Sequence, residues 1–323
     1  MSGSFLRAMG VLLPTSLVSL LVALAYGSVS IPALDVIGVF LGEASRLHTT
    51  LVLELRLPRA LAAFAAGGLL GLAGALMQVL LRNPLADPYV LGLSGGASVG
   101  ALLAMLAGLS MVSVSAAAFL GALLSTVIVF GLAHGTGSWT PTRLLLTGVV
   151  VAAGWGAMIS FILAISPTAE LPGMLYWLMG DVSHARNPYP AWGVLVCVIL
   201  LALPLGRTLN VLARGPLQAA ALGVAVRPVE WSIYIAASLI TATAVTQVGA
   251  VGFVGLIVPH MLRLVFGNDQ RVILPASALA GGILLTLADT LARTIIAPEQ
   301  LPVGVITAML GVPIFLFLLY RSR

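Results

Sequence analysis

The sequence predicts an all-α integral membrane protein with ten transmembrane helices, and three observations predict it. Of 323 residues, 60% are hydrophobic and 8% are charged, against about 25% charged in soluble domains. A soluble fold of this size has too little interior to hide so much apolar surface. The apolar residues also fall in runs close to the roughly 20 residues that a helix needs to cross the hydrocarbon layer. Finally, the runs are continuously apolar. A membrane β-strand would alternate over about ten residues, so helices, which satisfy their own backbone, are the spanning element.

The expected spans are 9–27, 59–81, 90–109, 113–134, 143–165, 189–206, 230–248, 250–267, 272–292 and 302–320. The first, with Arg7, an apolar stretch and then Ala23-Leu24-Ala25, has the outline of a signal peptide. Nine further spans follow, so it is taken as an uncleaved first helix. The second is entered through Arg56-Leu57-Pro58-Arg59, whose proline fits a helix start. It carries Gly67, Gly68, Gly71, Ala73, Gly74 and Ala75, small residues that let helices approach closely, which predicts a central position. Arg82-Asn83-Pro84-Leu85-Ala86-Asp87-Pro88 then makes a rigid turn. The third span carries Gly95, Gly96 and Gly100, and the fifth has Trp155 at mid-span, read as packing. The sixth holds Cys197, which has no partner for a disulfide and is assigned to core or lipid contact. A loop at 207–228 precedes the seventh. Gly249, Gly252 and Gly255 lead into the eighth, and Asp289 with Arg293 one turn on closes the ninth.

Orientation follows from the basic residues. With the N-terminus in the cytoplasm, inner ends hold Arg7, Arg82, Arg143, Arg207, Arg214, Arg227, Arg263, Arg271, Arg321 and Arg323, ten in all. The outer side holds five: Arg46, Arg56, Arg59, Arg186 and Arg293. Of the acids, only Asp87, Glu230 and Asp269 fall inside. Both termini are therefore expected in the cytoplasm. Trp139 and Trp231 at inner boundaries and Trp192 near an outer one read as interfacial anchors.

The same residues exclude chemistries. The net charge of +5 is carried by arginine alone. A phosphate-binding Walker A loop needs a lysine, so any ATP is bound by another subunit. His48, His134, His184 and His260 show no metal-ligand spacing, and no catalytic site or metal site is expected. No helical His-Glu-x-x-His, carboxylate pair or Ser/Lys arrangement marks an intramembrane enzyme. An ion-coupled secondary transporter is the alternative, but such proteins place ionisable groups near the bilayer middle, whereas here nearly all acids fall at span ends or in loops.

Several stretches carry a resemblance. They are Arg56-Leu57-Pro58-Arg59; Gly71-Leu72-Ala73-Gly74-Ala75-Leu76-Met77-Gln78; Arg82 to Pro88; Leu91-Gly92-Leu93-Ser94-Gly95-Gly96-Ala97; and Gly252-Phe253-Val254-Gly255 through Pro259-His260-Met261-Leu262-Arg263. Tyr176-Trp177-Leu178-Met179-Gly180-Asp181, Ala288-Asp289-Thr290-Leu291-Ala292-Arg293 and Leu301-Pro302-Val303-Gly304-Val305-Ile306-Thr307 extend the set. Together, in order and over nearly the whole chain, they resemble the FecCD-type permease family, which imports iron-siderophores, haem and cobalamin.

The resemblance implies a functional homodimer of ten-span subunits in the bacterial inner membrane. Two copies of a cytoplasmic ATP-binding-cassette ATPase dock from inside and a periplasmic substrate-binding protein docks from outside. It implies no cofactor and no nucleic-acid partner. Arg56, Arg59 and Arg293 match positions that receive acidic knobs of the binding protein; interfacial snorkelling is the plain alternative for them. Asn83 and Leu85 resemble the cytoplasmic gate. The 207–228 loop resembles the ATPase-coupling segment, with Arg214, Ala221, Leu222, Gly223 and Arg227 as its expected contacts. Here Arg214-Gly215-Pro216-Leu217-Gln218-Ala219 replaces the acidic residues common early in that segment, so a less polar contact is expected.

Overall fold

The computed structural model describes residues 3–134, 140–185 and 187–321. Trp139, Arg186 and Arg323, used above for anchoring and orientation, lie outside the described residues. Among the described residues the protein is helical, with no strand.

Small side chains decide the centre. Helix α4 (Leu57–Leu80) is buried at every residue from Ala62 to Leu80. It packs on α13 (Gln270–Ala292), α11 (Val226–Val248), α12 (Val254–Phe266) and α9 (Tyr189–Leu212). A Cβ at Gly74 would lie 1.8 Å from the Gly255 oxygen, and one at Gly67 2.2 Å from the Gly281 oxygen. Backbones therefore touch backbones, which is where packing energy between helices in lipid comes from. The other close seam joins α5 (Leu93–Leu106) to α6 (Met111–His134), where Gly96 and Gly121 face each other.

Among the described residues, seven helices are long and apolar enough to cross a membrane. They are α1 (Gly3–Ala25), the continuous stretch Arg46–Leu80, α6, α7 (Pro141–Ile165), α9, α11 and α13. Three shorter apolar helices, α5, α12 and α14 (Val303–Arg321), fall on the third, eighth and tenth expected spans. The 14 residues of α5 reach only about 21 Å at 1.5 Å per residue, short of the roughly 30 Å hydrocarbon layer. Irregular backbone flanks these short helices, and protein groups satisfy it, as a lipid-surrounded chain requires. The Val251 N–H donates to the Tyr89 hydroxyl (3.2 Å). The Asp181 N–H donates to the Val248 carbonyl and the Val303 N–H to the Gly180 carbonyl, each at 2.9 Å.

Several elements go beyond the expected spans. Helix α2 (Ala33–Leu41), α3 (Arg46–Thr49) and a π-helical segment (Thr50–Arg56) precede α4. Their apolar residues Val36, Val39 and Val52, with Ile31 just before α2, pack on Leu24 and Ala25 as a satellite cluster. Helix α8 (Leu171–Met179) lies between α7 and α9. The 207–228 stretch is only partly loop: α9 continues to Leu212, α10 spans Pro216–Ala221, and α11 starts at Val226. Pro204 sits inside α9 without ending it. Cys197 is exposed on the outside of the bundle.

Candidate functional site at the two mouths of the bundle

Arg56, Arg59 and Arg293 come together, and their partners differ. The last carbonyls of α1 have no partner within their own helix, and arginine is suited to capping such an end. The Arg56 Nη1 donates to the carbonyls of Leu24 (2.6 Å) and Ala25 (2.9 Å), and its Nη2 to that of Val29. The Arg293 Nη2 donates to the Ala23 carbonyl. Both side chains are buried. Gly27 leaves room for the two guanidinium groups, since a Cβ there would sit 3.0 Å from one and 3.2 Å from the other.

Asp289 supplies the counter-charge. Its carboxylate accepts from the Arg59 Nε (3.0 and 3.2 Å) and Nη2 (2.8 Å), a forked contact that suits a planar guanidinium. Its Oδ2 also lies 3.5 Å from the Arg293 Nε. Arg59 reaches further, with its Nη1 donating to the Gln300 Oε1 at 2.8 Å. The Gln300 carbonyl accepts from the Tyr176 hydroxyl at 3.2 Å. Tyr176 and Gln300 help line an adjacent cavity of about 800 Å³ with Trp177, Asp181 and Glu299. A chain of contacts thus runs from the arginine cluster to the cavity wall.

At the opposite end, Asn83 and Leu85 are exposed on the turn after α4. The Asn83 Oδ1 accepts from the Leu85 N–H at 2.9 Å, a local Asx turn. Gln78 fixes this turn to α12. Its Nε2 donates to the carbonyls of Ala86 (3.4 Å) and Leu256 (3.2 Å), and its Oε1 accepts from Arg263. Burial pushes the Asp87 carboxyl up to about 6, against the Tyr89 N–H, which holds it down. Asp269 shows the reverse. Hydrogen bonds from Arg271 lead in lowering it to about 2, with help from Asn210.

The coupling residues Arg214, Ala221, Leu222, Gly223 and Arg227 are all exposed. Ala219, fully buried, seats α10 against the bundle, while Leu217 and Leu222 project at 86% and 70% exposure. Leu217, like Gln78, Tyr176 and Gln300, had no expected role. A polar Gln78 within an otherwise small and apolar span was the signal available for it. Trp155 behaves as packing, its Nε1 donating to the Ser125 Oγ, which donates to the Gly92 carbonyl. Among the described residues no group of three or more His, Cys, Asp or Glu could hold a metal.

Comparison with known proteins converges on one class. A family model described as the FecCD transport family matches residues 15–321. The chain is 38% identical to the vitamin B12 import system permease protein of Vibrio vulnificus, over 88% of each chain. It is 39% identical to the hemin transport system permease protein of Yersinia pestis, over 95% of each. It is 40% identical to the ferric enterobactin transport system permease protein of Escherichia coli, over 100% of this chain and 98% of that one. A solved structure, titled an inward-facing conformation of an ABC transporter of metal-chelate type, superposes with a TM-score of 0.86 at 27% identity, covering 98% and 99% of the two chains.

Proposed function

The chain belongs to the FecCD transport family, and from that premise we propose the following account of its function. It is the membrane permease subunit of an ATP-driven importer, and its cargo is an iron chelate, haem or cobalamin. The observation that carries this is the match, over 88% of the chain or more, to permeases named for all three cargo types. Two copies of the chain pack with two ATPase subunits, and a binding protein delivers cargo from outside. All ten apolar helices cross the bacterial inner membrane, with both termini in the cytoplasm.

The arginine cluster marks the outer docking mouth. Arg59, partly accessible and tethered to Asp289 and Gln300, is the arginine that meets an acidic knob. Arg56 and Arg293 shape the rim by capping α1, and reach the partner only if α1 is released. Asn83 and Leu85 act at the inner gate. Leu217, Leu222 and the flanking Arg214, Ala221, Gly223 and Arg227 meet the ATPase, through a contact more apolar than charged. The purified chain should neither bind nor hydrolyse ATP. Co-expression with its ATPase should yield a two-plus-two complex by native mass spectrometry. Robust hydrolysis by the isolated chain would overturn this division of labour.

A further inference from the structure

At the inner end, a polar cavity of about 580 Å³ opens where α4, α9 and α12 finish and α13 begins. Its walls carry Arg82, Arg214 and Arg263 among amides from Gln78, Asn210 and Gln270. The one acid on the wall, Asp269, is already paired with Arg271 at 2.6 Å and accepts from Asn210 at 2.9 Å. Among the described residues none of the three wall arginines forms an ion pair. Arg263 donates to the neutral Gln78 Oε1, and Arg82 lies near enough to Glu230 for its charge to be felt there without pairing. Three cations with unspent donors in one concave site call for an anion, and guanidinium groups fit phosphate oxygens two at a time. The Gln270 Oε1 is buried without a partner and so has an acceptor to offer a hydroxyl.

A second cavity separates a lipid from a free phosphate. It is apolar, about 410 Å³, and lies further along the same two helices, lined by Leu195 and Ile199 of α9 and Pro275 and Leu279 of α13. Pro275 lies five residues beyond Gln270 along α13, about 8 Å, and Ile199 lies 11 residues before Asn210 along α9, about 16 Å, a depth within the reach of an acyl chain. We propose that the inner mouth binds an anionic phospholipid, its phosphodiester held by Arg82, Arg214 and Arg263 and an acyl chain directed to the α9–α13 groove. Basic pockets between helices on the cytoplasmic side suit such headgroups. The inner leaflet is named on the orientation proposed above; the binding chemistry stands without it.

The test uses the isolated permease in detergent and a fluorescent short-chain phosphatidylglycerol. Binding should saturate at one lipid per chain, and unlabelled phosphatidylglycerol should displace the probe. Phosphatidylcholine and inorganic phosphate should compete worse by about tenfold or more, equivalent to about 1.4 kcal/mol. Arg82→Gln/Arg214→Gln should weaken binding by a similar factor, while Arg82→Lys/Arg214→Lys retains most of it. Unchanged affinity in the glutamine variant overturns the site. Displacement by phosphate as strong as by phosphatidylglycerol overturns the lipid as its occupant. Neither assay needs an ATPase, so failure here is distinct from failure of the importer reading.

Discussion

Asp289 holds the arginine mouth together, because Arg59 and Arg293 both lean on a carboxylate whose side chain is only 3% exposed. Removing one member of a buried ionic cluster leaves the others uncompensated, at a cost of about 3–5 kcal/mol. Asp289→Ala should therefore lower thermal stability in detergent by a margin far beyond that of a surface control such as Glu43→Ala. A loss below about 1 kcal/mol, the size of an exposed pair, would show that the cluster is solvated. Arg59→Glu should weaken binding-protein docking most strongly at low salt, where charges are least screened, and Arg59→Lys should spare it. Arg56→Glu should instead reduce folded yield, since its head caps a helix end. At the other mouth, Asp87 titrates upward, to about 6. A raised carboxyl favours the folded state at low pH, and that advantage is lost as pH climbs from its unfolded value of 3.8 through about 6. Asp87→Asn should thus gain melting temperature over wild type progressively between pH 4 and 7. A difference that is flat across this range would contradict the burial.

Among elements, α4 was the most legible from sequence, and the reason is local. Closeness of approach depends on side-chain volume, which glycine and alanine declare by themselves. Gly74→Ala should be severely destabilising, because its new carbon would meet the Gly255 backbone at 1.8 Å, whereas Gly154→Ala meets nothing within 4 Å and should be tolerated. Comparable folded yields for the two would refute the seam. The breaks in α5 and α12 were less legible, since their polar backbone is satisfied by partners such as Tyr89 and Val251, 162 residues apart. The inward turn of Arg56 and Arg293 was invisible for a related reason. Their acceptors are main-chain carbonyls of α1, and carbonyls leave no residue-type signature. Helix α10 was legible as a segment but its exposed leucines were not; Ala219, Ala220 and Ala221 are alike in sequence, and only packing shows that Ala219 is the buried one and that Leu217 and Leu222 project. Leu217→Glu and Leu222→Glu should abolish co-purification of the ATPase while leaving the permease folded. Retained co-purification would move the contact elsewhere.

For the whole molecule, the division between ends is the organising feature: an ion-paired, largely buried arginine cluster at one mouth, and at the other Arg82, Arg214 and Arg263, which form no ion pair among the described residues, beside an exposed apolar helix. Labelling of a cysteine placed at Gly215 should occur only from the cytoplasmic side, and periplasmic labelling would invert the account. The deeper question is the source of transport energy, since an ion-coupled carrier could share the same composition. The direct measurement is cargo uptake by proteoliposomes holding the permease and its ATPase, with binding protein supplied outside and ATP inside. Uptake should require ATP, the ATPase and the binding protein together, and persist when ionophores collapse every ion gradient. Uptake by the permease alone, driven by an ion gradient without ATP, would contradict it.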